Sequence, residues 1–151
     1  MKNLYEVSTT DELKARLAQL QPESQRQWGT MTVAQAVAHC ADAMAWAVGE
    51  TIPAPASFVQ RLAGRILKPL VLGGDTPFRR NSPTSPDLII RNDRNLEAER
   101  SRLCQMIDRF AAAGPGGCTT HPHSFFGKMN PTEWATLMYK HLDHHLRQFG
   151  V

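Results

Sequence analysis

The sequence predicts an all-α protein: a four-helix bundle with a short additional helix at its N-terminus. Three observations carry that prediction. Apolar residues recur at helical spacing in four longish segments and one short one. Each of those segments has a recognisable start or stop signal. Convincing alternating strands are absent, since Leu88-Ile89-Ile90 is too short to count. A polar connection at about 75–92 serves as a long crossover, which favours a topology other than simple up-down-up-down.

The elements follow in order. Thr9-x-x-Glu12 reads as a capping box with Leu13, Leu17 and Leu20 behind it, and Pro22 ends that short helix. Thr32-x-x-Gln35 opens an Ala-rich second segment that runs to about Gly49, before the Pro53/Pro55 loop. Ser57-x-x-Gln60 starts a third, with Phe58, Leu62 and Ile66 on one side, closed by Pro69 or by Gly73-Gly74. The text around PFRRNSPTSPD has no core of its own, so it is a connection and not a second domain. A fourth helix begins near Asp93 and carries Leu96, Leu103, Met106, Ile107 and Phe110 before Gly114. The last has the strongest start: Asn130 as N-cap, Pro131 as first helical residue and Glu133 reaching back.

Composition bounds the function. A chain of 151 residues, 42% apolar and 21% charged, makes one globular domain over 1–151. Cys40, Cys104 and Cys118 form no C-x-x-C pair, so neither a disulfide framework nor a thiolate zinc finger fits. The N-terminal text lacks a signal-peptide layout, and no stretch approaches the ~18 apolar residues of a membrane span. These features predict a reduced, cytoplasmic protein of bacterial type with no membrane partner. Arg61, Arg65, Lys68, Arg79, Arg80, Arg91 and Arg94 make the middle basic, and the net charge is +3. Without interleaved aromatics or a binding module they read as a solvated face, so a nucleic-acid partner is not expected. G-x-S-x-G, the P-loop and G-x-G-x-x-G are absent, which removes the standard hydrolase, nucleotide and dinucleotide signatures.

The histidines are the residues with chemistry. At ~100° per residue, Trp134, Met138, His141 and His145 project within about 60° of one another, with His144 at the edge of that stripe. His141 and His145 therefore sit in the face expected to point into the bundle. Buried side by side, each costs free energy if unpaired, and both repel if protonated. Spacing of i,i+4 sets them ~6 Å apart, which suits two nitrogens on one cation. Against this stands the reading of core-edge histidines bonded to backbone or carboxylates.

A third ligand has to come from another helix, and His39 is the only remaining histidine inside a predicted one. It projects with Gln35, Asp42 and Trp46, nearly opposite Val33, Val37 and Met44, so its stripe meets either the site or water. Asp42 either orients an imidazole or is solvated. His121 and His123 precede the last helix, ~15 Å of helix from His141, and read as loop or pocket-rim residues. Gln148 reads as hydrogen-bonding support. Asp42, Asp143 and His144 are all open as a general base, so catalytic residues are unassigned. Substrate entry is expected near Trp46 or the 75–92 loop, with Arg79 and Arg80 able to attract an anionic group.

WGTMTVAQAVAHC at 28–40 and HPHSFFGKMNPTEWATLMYKHLDHHLRQFG at 121–150 resemble the DinB/YfiT-like family of four-helix-bundle metal-dependent proteins, in a branch of unassigned function. The H-x-x-H-H-x-x-Q run at 141–148 is the most specific piece. The likeness spans about 28 to 150, leaving 1–27 as an N-terminal extension. It implies an up-down-down-up bundle with a long crossover, and a divalent metal held by His39, His141 and His145. Relatives in that family include transferases using low-molecular-weight thiols and metal-dependent hydrolases. The expected function is accordingly activation of water or a small thiol for hydrolysis or thiol transfer on a small molecule. Zinc is the first metal and nickel the second, given all-nitrogen ligands. The alternative is a non-catalytic metal-binding or structural helical bundle. The oligomeric state stays open, a dimer among the options.

Overall fold

The computed structural model describes residues 2–74 and 76–151; Met1 and Asp75, the first residue of the expected crossover, lie outside the described residues. Among the described residues five α-helices make the fold: α1 (Val7–Leu17), α2 (Val33–Ala47), α3 (Phe58–Leu72), α4 (Leu96–Ala113) and α5 (Pro131–Gln148). Two 3-10 turns, Pro86–Leu88 and Gly114–Gly117, complete it, with an isolated antiparallel bridge between His123 and Gly127. No strand occurs among the described residues.

Three helices start on reciprocal caps, because a side chain at the N-cap and one at the third position satisfy N–H groups that the helix leaves free. Thr32 with Gln35, Ser57 with Gln60 and Asn130 with Glu133 all form the complete box. Asn95 caps α4 by accepting from the Ala98 N–H at 2.9 Å, so that helix starts three residues after Asp93. The expected Thr9/Glu12 box does not form. Asn3 instead organises a turn, accepting from the Tyr5 N–H and donating to Glu6, and α1 starts at Val7. Thr9 and Thr10 are then buried inside the helix, and Glu12 pairs with Lys2.

The core is built on α2. All its residues except Gln35 and Asp42 are buried, and it packs mainly against α4, then α5. α1 lies against α4 and α5, and Leu4, Leu13, Leu17 and Leu20 are each at most 2% exposed. At roughly 1.5–3 kcal/mol per buried leucine, this N-terminal segment is an integral part of the core. Arg16 fastens it to α5, bonding Asp143 at 2.9 Å and the Val151 carbonyl at 3.0 Å.

α3 is the outlier. Its inner strip meets the protein through Gly64, where a Cβ would fall 2.0 Å from the Phe125 carbonyl oxygen, and through Lys68, which pairs with Glu133 at 2.9 Å. Lys140, buried on α5, donates to the Val71 carbonyl at 2.6 Å and so holds the C-terminal end of α3. Phe58, Leu62 and Ile66, the stripe that marked this helix in the sequence, face outward at 50–80% exposure. Periodicity identifies an apolar face without saying what covers it.

Candidate metal centre

α2 and α5 bring three imidazoles together. The rings of His39, His141 and His145 lie with centroids 4.7–4.8 Å apart pairwise. One nitrogen from each falls within 4.8 Å of the others, and His39 Nε2 is 2.9 Å from His141 Nε2. His39 is 2% exposed, while His141 and His145 keep some accessible surface.

The outer nitrogens fix the tautomers of two of the three rings. His39 Nδ1 lies 2.8 Å from the Leu88 carbonyl oxygen, which can only accept, so Nδ1 carries the proton and Nε2 presents a lone pair. His145 Nδ1 donates to Gln148 Oε1 at 2.8 Å; the Gln148 amide is oriented by its own N–H donation to the Trp28 carbonyl at 2.8 Å. His141 Nδ1 is buried and has no hydrogen-bond partner among the described residues.

Electrostatics keep the rings neutral. Burial lowers the His141 pKa well below its ordinary value, and the neighbouring His39, His145 and His144 push it further the same way. Burial brings His145 down to about 3, with His39 adding to the effect. His39 is also lowered by burial, partly offset by the Leu88 carbonyl. Neutral imidazole is the ligand form.

The residues fit a divalent ion. Neutral nitrogens from separate helices converge, two of them with Nδ1–H held by an oxygen, the arrangement metal-binding histidines generally adopt. With bonds of ~2.0–2.1 Å in tetrahedral geometry, ligand nitrogens stand about 3.3 Å apart, within the spacings found here. The orphaned buried Nδ1 of His141 is otherwise unfavourable. The three histidines could thus bind a metal ion.

The other singled-out residues divide. Gln148 touches the centre through His145, and His144 adjoins it, its ring 5.1 Å from that of His145. Asp42 turns away, paired with Arg102 at 2.8 Å, and the carbonyl of Leu88 takes the orienting role on His39 instead. Trp46 is buried against the ring of His123, at 5.9 Å, and not against the histidine cluster. His123 packs between Trp46, Phe126 and Trp134, while His121 is exposed. Asp143 is committed to Arg16.

Some contributors carry little signal in the sequence, although Arg80 is expected as a charge near the entry. Leu88 acts through its main-chain carbonyl, supplied by a 3-10 turn inside the connection. Trp28 and Phe78 flank His144, with ring centroids at 5.4 and 6.0 Å, and the guanidinium of Arg80 lies 4.4 Å over the Trp28 ring. This aromatic and basic rim lies on the His144 side of the centre. Behind His145, by contrast, is a cavity of ≈ 20 Å³ lined by residues such as Leu13, Leu17, Cys40 and Leu103. That is room for about one water, in an almost wholly apolar lining.

Packed helices around three converging imidazoles define the class: an all-α helical protein with a candidate metal centre. The chain belongs to the family described as "Protein of unknown function (DUF1569)", whose model matches residues 2–150. That family is a member of the DinB-like helical superfamily. The chain has no match among curated proteins or among solved structures.

Proposed function

We propose that this protein is a metal-dependent enzyme of the DinB/YfiT type, in which His39, His141 and His145 hold one divalent ion, zinc first and nickel second. The observation that carries the reading is the convergence of three neutral imidazoles, two with Nδ1–H anchored on the Leu88 carbonyl and on Gln148. Three protein ligands leave coordination positions for other groups, the pattern of catalytic and not structural zinc. A bound divalent ion supplies Lewis acidity, lowering the pKa of a water or small thiol so that it serves as a nucleophile near neutral pH. The protein is cytoplasmic on this reading, and its substrate is a small molecule.

The chain's own residues would do the rest. Leu88 and Gln148 hold two rings in their ligand tautomers. Trp28 and Phe78 offer apolar surface beside His144, and Arg80 offers positive charge to an anionic group on the substrate. Of the three groups open as a general base, Asp42 and Asp143 are engaged with arginines, which leaves His144 next to the site.

A second reading, a bundle whose histidines make only structural hydrogen bonds, draws on the His39–His141 contact, since 2.9 Å is also a hydrogen-bond distance. Metal analysis of the purified protein separates the two. The metalloenzyme reading expects close to one zinc or nickel per chain, and loss of that metal in His141→Ala. A content far below one, unchanged by the substitution, would sink it. Chelator-sensitive thiol transfer or hydrolysis on an electrophile panel then distinguishes an enzyme from a passive binder.

A further inference from the structure

The outward face of α3 carries an inference independent of the metal centre. Phe58, Val59, Leu62, Ile66, Leu67 and Leu70 are between 41% and 80% exposed. At ~100° per residue they fill one half of the helix, while Gly64, Lys68, Val71 and Leu72, on the other half, meet the protein. Contiguous apolar surface of this kind marks an interaction site in a soluble domain.

Charge selects the occupant. From residue 51 to residue 74 the chain has no Asp or Glu, but it has Arg61, Arg65 and Lys68. Lys68 is used internally, paired with Glu133 and donating to the Lys128 carbonyl. Arg61 and Arg65 have no ion pair or hydrogen-bond partner among the described residues. Both are exposed; Arg65 borders the apolar half ~20° from its Phe58 edge, and Arg61, one turn earlier, lies ~60° beyond that edge. A second copy docking through this face would bring an identical acid-free helix, setting the Arg65 guanidinium of each copy at the seam with no carboxylate on either α3 to receive it. Anionic lipid supplies both missing components, an apolar layer for the six side chains and phosphates for the flanking arginines.

We propose that α3 is an in-plane anchor for an anionic membrane surface, its apolar half seated at the headgroup–acyl boundary and Arg61 and Arg65 on lipid phosphates. No helix among the described residues is long and apolar enough to cross a membrane, which concerns spanning and not attachment. At 15 residues, or ~22 Å, α3 has the length and one-sided polarity of a helix lying in the surface.

Flotation of the full chain with vesicles tests the assignment, using phosphatidylcholine alone and phosphatidylcholine mixed with phosphatidylglycerol. The chain floats with the mixed vesicles and at least about tenfold less with the neutral ones, and binding weakens between about 0.1 M and about 1 M salt. The double substitution Leu62→Glu/Ile66→Glu lowers the bound fraction at least about tenfold. Arg61→Gln/Arg65→Gln removes most of the salt dependence. All four positions are exposed, so circular dichroism and metal content stay as in the parent. Absence of flotation, or flotation that Leu62→Glu/Ile66→Glu leaves unchanged, overturns the proposal. So does a dimer in solution that the same double substitution converts to monomer, which would assign the face to a second copy.

Discussion

Gln148 accepts the Nδ1–H of His145 at 2.8 Å while its own amide nitrogen is tied to the Trp28 carbonyl at 2.8 Å. The side chain is therefore fixed at both ends, and it holds the imidazole in the tautomer that presents Nε2 to His39 and His141. Gly29 makes room for this arrangement: its φ is +77°, and a Cβ there would come within 2.5 Å of the Gln148 nitrogen. Partners that orient a metal-bound histidine typically contribute 10–100-fold in affinity. Gln148→Leu should weaken zinc binding by about that factor without changing the helix content, as measured by competition with a chromophoric chelator. Unchanged affinity would show that the Gln148–His145 bond serves packing alone.

An ion held by the three histidines should also stabilise the fold, because they lie on two helices that separate on unfolding. Ligand binding to the native state alone contributes about 2.7 kcal/mol at a free concentration of 100 Kd. For a chain of this size that is roughly 5–10 °C in Tm. Thermal unfolding with and without chelator measures it, and His39→Ala should abolish the difference. Equal melting temperatures with and without chelator would count against a bound ion.

Much of this centre was legible beforehand, for a physical reason. The i,i+4 spacing of His141 and His145 within the Trp134/Met138 stripe fixes their common face on any α-helix. His39 was harder, since α2 is apolar nearly all round and periodicity cannot select an inward side on such a helix; pairwise packing against α4 and α5 decides it. Leu88 was invisible, because a carbonyl acceptor is contributed by backbone path and not by side-chain type. The helix starts at Thr32, Ser57 and Asn130 were readable from local chemistry, whereas the Thr9/Glu12 pattern gave way to a turn organised by Asn3. The exposure of α3 was unreadable, since an amphipathic pattern looks the same whether it faces a core, a partner or a lipid surface.

The contribution of α1 to the core gives a direct stability prediction. Leu13 is 1% exposed and Leu17 2%. Leu13→Ala should cost about 2–5 kcal/mol, the range for truncating a fully buried leucine. Chemical denaturation checks this, and a loss below about 1 kcal/mol would mean that the N-terminal helix is loosely attached.

His123 should make stability depend on pH. Burial lowers its pKa to about 4, and its Nδ1 accepts the N–H groups of Phe125 and Phe126 at 3.1 and 3.2 Å, which leaves no place for a second ring proton. In the unfolded chain the group titrates near ~6.5. Above that value both states are neutral and the group adds no pH dependence. Between ~6.5 and about 4 only the unfolded state takes up the proton, so stability falls as pH falls, by roughly 3 kcal/mol over the whole window. His123→Asn keeps an acceptor for the two N–H groups without a titrating ring. The drop in unfolding free energy from pH 7 to pH 5 should shrink by about 2 kcal/mol in that variant. An identical drop in both proteins would show that His123 is accessible to protons in the native state.

Gly64 tests how α3 is held. A Cβ at this position would lie 2.0 Å from the Phe125 carbonyl oxygen and 2.7 Å from its carbon, and both are backbone atoms that no rotamer change can move aside. The segment they belong to is itself braced, by the His123–Gly127 bridge and by the bonds from Phe125 and Phe126 to the His123 ring. Gly64→Ala must therefore displace α3 and not the loop. The Lys68–Glu133 pair and the Lys140 bond to the Val71 carbonyl lie along the C-terminal half of the helix, while just before its N-terminus the chain is held by the longer bond from the Ala56 N–H to the Ser124 carbonyl, at 3.3 Å. The N-terminal half should consequently lift first. Amide exchange in residues 58–66 should accelerate strongly in Gly64→Ala, while α2, α4 and α5 keep their protection and the protein keeps its metal affinity. Overpacking of this kind costs typically about 1–3 kcal/mol, but here the cost is confined to an element outside the core that carries the histidines. If exchange in α2 and α5 accelerates equally, α3 is coupled to the centre and its outward face cannot act independently of it.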